Sequence, residues 1–189
     1  VKEAQFDDFD FYVSWPADAN NIAPLKRRFE RDAAAIKTKI KASSAELAKA
    51  RQSEGLPMLN PLAHHMTSKV AGDNPRILSL LTYNFVHHGG AHGDWGYGGL
   101  LWDRKKNAAI KSPAALFKDG MAHLRPSWCA ALEELRVARS EGSYKPAPGK
   151  KYGDTWDCPA FKDLAVVPMG APGKPFDRIR VSAAPYVAG

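Results

Sequence analysis

The 189-residue chain contains no run of eighteen apolar residues, so no segment is built to cross a bilayer as a helix. Its opening, "VKEAQFDDFD", lacks a Met and the apolar core of a signal peptide, and reads as a mature or trimmed start. GxSxG, HExxH and P-loop patterns are all missing, and neither cysteine has a histidine base nearby in sequence. No catalytic residue is therefore assigned, and no cofactor is expected. Internal repeats and low-complexity tracts are also lacking.

Cysteine is scarce, with two residues, Cys129 and Cys158. They can be read as two unrelated buried thiols. The even count favours a bridge, because the loose stretch from Gly142 to Gly153 lets Cys158 fold back on the helix carrying Cys129. Such a bridge would contribute about 3–4 kcal/mol on the loop-entropy model. It would also place the chain in an oxidising compartment.

What is present is ordinary for a globular protein: 44% hydrophobic and 25% charged residues. We expect a single domain over 1–189, with a strand and long helix in 1–60 and the remainder in 61–189. The net charge is +7, and much of it lies in Lys26–Arg51, where nine Lys or Arg meet three acids. No aromatic-interleaved basic strand accompanies it, so nucleic acid is not an expected partner. An acidic polymer or an anionic membrane surface suits the charge better.

"FDFYVSWP" alternates Phe9, Phe11 and Val13 against Tyr12, which makes it a strand ended by Pro16. From Asn20 or Asn21 to about Glu54, the positions Ile22, Leu25, Phe29, Ala33, Ile36, Ile40 and Leu47 step by three and four. This predicts an amphipathic helix, capped by one of those asparagines and stopped by Gly55 and Pro57. Its stripe suits a sheet; a coiled-coil partner is the other reading. "LAHHMTSKVAG" and "RILSLLTYNFVHH" follow as strands about a "GDNP" turn, the second apolar on both faces and so central. "GYGGLLWD" is a third strand. "IKSPAALF" starts a helix with Ser112 as cap, and a further helix runs Pro126–Ser140 with Trp128, Leu132 and Leu135 on one side. "DLAVVP" and "FDRIRVSA" close the chain as strands. The expected class is α+β, a mainly antiparallel sheet packed on the long helix and shorter later ones.

The segment Phe85–Asp103 holds three histidines, six glycines and four aromatics. With "GGA" at the apex, pairing sets Phe85 opposite Gly96, Tyr83 opposite Gly98 and Val86 opposite Trp95, aromatics covering glycines. Gly89, Gly90 and Ala91 form the turn, and both glycines supply positive φ. Five of six histidines lie between His64 and His92. Pairing about "GDNP" sets His64 near Tyr83 and His65 near Thr82, about 15 Å from His87 and His88 at the usual strand rise. Zinc needs ligands meeting at one point, so no metal site is expected. The remaining use is recognition: His87, His88, His92, Asp94, Trp95 and Tyr97 are the candidate ligand-binding residues.

The run "LSLLTYNFVHHGGAHGDWGYGGLLWDRKKNAAIKSPAALFKDG" resembles the RsiV-like extracytoplasmic domain. The likeness rests on Gly89, Gly90, Ala91, His92, Trp102, Asp103, Leu116, Phe117, Lys118 and Asp119, and on Pro185, Tyr186, Ala188 and Gly189 near the end. The N-terminal strand and long helix are similar to the PdaC-type module associated with deacetylases. The resemblance implies a non-catalytic bacterial envelope domain, periplasmic, secreted or lipid-anchored, that binds a cell-wall glycan or an envelope protein. The alternative is a hydrolase or metal-dependent enzyme acting on envelope polysaccharide or peptidoglycan. The sequence assigns no oligomeric state.

Overall fold

In a computed structural model, residues 4–6, 9–56, 60–117, 121–143 and 158–184 are described. Lys118, Asp119, Pro185, Tyr186, Ala188, Gly189 and most of the Gly142–Gly153 loop lie outside them. The architecture is the expected α+β. Six strands form one sheet in sequence order: β1 (Ala4–Phe6), β2 (Phe9–Ser14), β3 (Leu62–Asp73), β4 (Ile77–His87), β5 (Asp94–Asp103) and β6 (Ala108–Ile110). All neighbours are antiparallel except β2 and β3. Those two are parallel because a helix carries the chain back between them, as parallel neighbours require.

That helix is α2 (Ala23–Ser53), preceded by the short α1 (Ala17–Asn20). Neither asparagine caps α2. Its first turn instead begins after Ile22, with Pro24 supplying a preset φ where no amide partner is needed. Asn20 is engaged elsewhere, accepting a 2.7 Å bond from the Trp15 indole. The C-terminus stops as expected at Gly55 (φ +66°). The amides of Gly55 and Leu56 return to the carbonyls of Gln52 and Arg51, closing a Schellman motif.

The helix stripe meets one side of the sheet. Leu25 and Phe29 pack with Ile22, Leu78, Leu80 and Trp102, while Ile40 packs with Phe9, Phe11, Val13 and Leu62. Each such side chain contributes roughly 1.5–3 kcal/mol when fully buried. The Trp15 ring stacks on Phe29 at 5.2 Å.

The other side is closed over part of its area by a hairpin of β7 (Ala165–Met169) and β8 (Arg178–Ser182). The approach is close. A Cβ on Gly99 would lie 3.1 Å from the Val166 carbonyl oxygen, and one on Gly72 would lie 2.7 Å from the Phe176 ring.

Two helical expectations change. Pro113–Leu116 is a single 3-10 turn, with Ser112 capping as expected by accepting from the Ala114 amide at 3.2 Å. In α3 (Arg125–Arg139), Leu132 is buried but Leu135 faces solvent at 49% exposure; Arg136 is the other buried residue. Arg136 reaches Glu133 at 2.7 Å, so a paired cation fills the place an apolar stripe would give to leucine. Cys129 of α3 and Cys158 form a disulfide, with Cα atoms 5.5 Å apart. Arg125 adds bonds to the carbonyls of Cys158 (2.8 Å) and Pro159 (3.1 Å).

The β3–β4 register differs from the one expected. Asp73 still pairs, with Leu78, because the turn is Asn74–Arg76. The Asn74 side chain accepts from the amides of Arg76 (2.9 Å) and Ile77 (2.8 Å) and so sets the reversal two residues later. A bulge between Val70 and Gly72 takes one residue back. His64 therefore lies opposite Val86 and His65 opposite Phe85. An ion-paired lattice fixes this end of the sheet. Arg76 grips Asp103 with two bonds (2.9 and 2.8 Å), and Arg104 meets Asp73 at 2.6 Å. The Arg76 guanidinium, then the Lys106 amide, hold the Asp103 carboxyl far below the usual carboxylate range.

Candidate functional site

In β4 and β5 the pairing is Phe85 with Trp95 and Tyr83 with Tyr97, while Asn84 and Thr82 face Gly96 and Gly98. The expected aromatic-on-glycine pairs are thus displaced by one residue. A one-residue slip in a strand exchanges its faces, so the aromatics gather on one side and Gly96 and Gly98 on the other. An aromatic does cover a glycine, but diagonally: a Cβ on Gly93 would sit 2.5 Å from the Phe85 ring. At the turn, Gly89 alone of the pair has a positive φ (+78°), and a Cβ there would lie 3.2 Å from Leu47; Gly90 needs none. Ala91 is exposed beside it.

The register carries the aromatic side across four strands. Tyr12 of β2 pairs with His65, His65 with Phe85, and Phe85 with Trp95. One rung along, Ser14 pairs with Thr67, Thr67 with Tyr83, and Tyr83 with Tyr97. Ring centroids lie 6.3 Å apart for Tyr12–His65, 5.6 Å for His65–Phe85, and 5.8 Å for both Tyr83–Tyr97 and Trp95–Tyr97. Tyr83 and Trp95 are 37% and 42% exposed, Tyr83 on a central strand and Trp95 on the part of β5 that β6, pairing only with Leu101–Asp103, leaves without an outer neighbour among the described residues. His65 donates from Nε2 to the Asp10 carboxylate at 2.6 Å, and both are part-exposed. The Arg180 guanidinium stands 5.7 Å from the Tyr97 ring centre, at the border of the β7–β8 hairpin.

The sequence candidates divide between places. Trp95 and Tyr97 belong to this open aromatic face. Asp94 pairs with Val86 and so falls on the helix side, exposed at the strand end. His88 and His92 are exposed in the turn region. His87 closes β4, where the Gly89 amide donates to its Nδ1 at 3.2 Å, a local turn contact. Tyr12, His65, Tyr83 and Phe85, which the sequence does not single out, share the aromatic face with Trp95 and Tyr97. The signal was there: each sits at the strand positions alternating with the core set.

The histidines do not converge, although the reason differs from the expected one. With the observed register, Ala63 pairs with His87, so His64 and His65 lie close in register to His87 and His88 rather than far along the sheet. Alternation divides them instead: His65 and His87 fall on the aromatic side and His64 on the helix side. Burial holds the His64 imidazole below its ordinary value, opposed by its interaction with Asn84. Among the described residues no three of His, Cys, Asp or Glu are placed to share a metal ion. A shallow depression of about 280 Å³ at Asp73, Asn74, Pro75, Arg104 and Gly173 lies at the opposite end of the sheet. Its Asp73 and Arg104 already bind each other, which marks it as a structural latch.

No described helix is long and apolar enough to cross a membrane. No curated protein matches the chain. A crystal structure of a DUF3298 family protein from Pseudomonas aeruginosa PAO1 is similar over 80% of this chain and 73% of that one, at 14% identity and a TM-score of 0.38. The family described as Deacetylase PdaC matches residues 5–94, the span from β1 through the long helix and two central strands to the start of β5. That match supports a PdaC-type module at the N-terminal side of the chain.

Proposed function

We propose that this is a non-catalytic bacterial envelope domain, periplasmic, secreted or lipid-anchored, that holds a cell-wall glycan on its open aromatic face. The observation that carries the reading is the contiguous set Tyr83, Trp95 and Tyr97, whose rings touch one another while two of them stay more than a third exposed. Contiguous exposed apolar surface marks interaction sites. Tyr and Trp join a flat apolar body to a polar tip. A pyranose ring has the matching shape, a C–H face with a hydroxyl rim.

The Gly-Gly-Ala-His segment supports the RsiV-like reading of the hairpin, and the disulfide fits an oxidising compartment. A net charge of +7 disfavours a strongly basic protein as the ligand. His92 and the turn would then form the rim of the surface. A glycan array compares wild type with Trp95→Ala, Tyr83→Ala and His92→Ala. Trp95→Ala and Tyr83→Ala are expected to weaken capture about tenfold or more, and His92→Ala less. Equal capture by wild type and Trp95→Ala would remove this face from the function.

A second reading, an envelope hydrolase, draws on the 2.6 Å Asp10–His65 contact, the arrangement that orients a general base. Its mark would be soluble product released from envelope polysaccharide by wild type and not by His65→Gln.

A further inference from the structure

Resting on the glycan reading, we infer that the ligand is an extended, acid-bearing chain lying across the strands from β2 to β5, and not along them. The register is the basis. Tyr12, His65, Phe85 and Trp95 form one continuous rung of direct cross-strand partners on four adjacent strands. Neighbouring strands are spaced by about 4.8 Å, so the rung is about 14 Å long. An extended, equatorially linked pyranose chain advances by a comparable step per sugar. Each sugar of a chain laid on the rung therefore meets the next ring in turn, and roughly three sugars fill it. A chain laid along a strand would meet ring-bearing positions on only one or two of the strands.

The second rung supplies the polar partner. Ser14, Thr67, Tyr83 and Tyr97 all end in a hydroxyl, and they run parallel to the ring row one step away on the same face. Ser14 and Thr67 approach each other only at 3.4 Å, which leaves their hydrogen-bonding capacity largely open. A ring row beside a hydroxyl row is the complement of a sugar chain's own apolar face and hydroxyl edge.

Charge selects among such chains. Arg180, above Tyr97, uses Nε to hold Ser182 at 3.1 Å, and its terminal amino groups have no acceptor among the described residues. Lys69, two residues beyond Thr67 on the same face, is exposed. Of the described carboxylates on this side, Asp10 is already bound to His65 and Asp103 to Arg76. Among the described residues the cations therefore border the hydroxyl row without a paired carboxylate, and they complement a carboxylate carried on the sugar near Tyr97.

Calorimetric titration tests this with peptide-free strands of alternating N-acetylglucosamine and N-acetylmuramic acid, whose lactyl groups are carboxylates. Neutral N-acetylglucosamine oligomers of equal length are the control. Wild type should bind the acidic hexasaccharide about tenfold more tightly than the disaccharide. It should also prefer the acidic to the neutral hexasaccharide. Tyr12→Ala should weaken the hexasaccharide severalfold and leave the disaccharide, seated at the Trp95 end, unchanged. Arg180→Gln should abolish the preference for acid, with neutral binding retained. Thermal melts of both variants establish that they fold, and the length comparison on wild type needs neither of them. Equal affinity for di- and hexasaccharide would overturn the crosswise placement while leaving glycan binding in place. Equal affinity for acidic and neutral chains would overturn the acid seat. Failure of every oligomer to bind would bring down the glycan reading itself.

Discussion

The two sides of the sheet are made by the same strands, and they meet different fates. On one side, Phe9, Phe11, Val13, Leu62, Leu78, Leu80 and Trp102 are buried under the long helix. On the other, the β7–β8 hairpin covers the region around Gly72 and Gly99, and Tyr83 and Trp95 remain in water. Aromatic content does not separate the sides, since both are rich in rings. What separates them is the identity of the cover. A 31-residue helix presents an apolar stripe long enough for β2 through β5, whereas a two-stranded hairpin of five-residue strands closes only part of the opposite area. Surface left over in this way is available for recognition at little cost to the fold.

Substitutions can break that contrast or sharpen it. The largest effect should come from the helix side. Leu80→Ala, at a fully buried position, should lower unfolding free energy by about 3 kcal/mol in urea denaturation. A loss below about 1 kcal/mol would mean that the covered side is not a packed core.

A smaller effect comes from His64, also on the helix side. Its pKa is held below the ordinary 6.5 by burial, so the folded state resists protonation more than the unfolded chain does. The stability this contributes is full above pH 6.5 and falls as pH drops from there through the folded-state value. Urea midpoints at pH 7.5 and pH 5.5 should differ less for His64→Gln than for wild type. An unchanged difference would assign the pH dependence to another group.

The smallest effect belongs to the open side. Trp95→Ala should change stability by less than about 1 kcal/mol while weakening the proposed glycan capture about tenfold or more. A loss as large as that of Leu80→Ala would show Trp95 to be core, and would merge the two sides into one class.

Much of this contrast could be read from the sequence, and the part that could not has identifiable causes. The alternation of Phe9, Phe11 and Val13 against Tyr12 assigns β2's faces correctly. The three-and-four spacing in Ile22–Leu47 assigns the helix stripe, and the cysteine pair is bridged as expected. Register was harder, because it depends on side-chain chemistry at single turn positions. The Asn74 carboxamide moves one reversal and the Val70–Gly72 bulge offsets it, and neither leaves a periodic trace. At Gly89–Gly93 a one-residue displacement was enough to trade aromatic–glycine pairs for aromatic–aromatic ones. Trp95 and Tyr97 are legible as candidates because they stand beside a conspicuous turn. Their neighbours Tyr12, His65 and Tyr83 come from strands up to 85 positions away in the chain and become neighbours only once register is known.

The parallel join of β2 to β3 gives the platform a built-in order of assembly. β3, β4 and β5 form a meander closed by short turns, so His65, Phe85 and Trp95 align through contacts local in sequence, the kind that low contact order lets form fast. Tyr12 arrives only when the chain has closed across more than fifty residues and the helix has docked (Ser14 and Thr67, one rung along, are 53 apart). If the face holds a glycan chain as proposed, fraying of that one strand would shorten its grip by a unit without dismantling the rest, and hydrogen exchange at β2 would report on it.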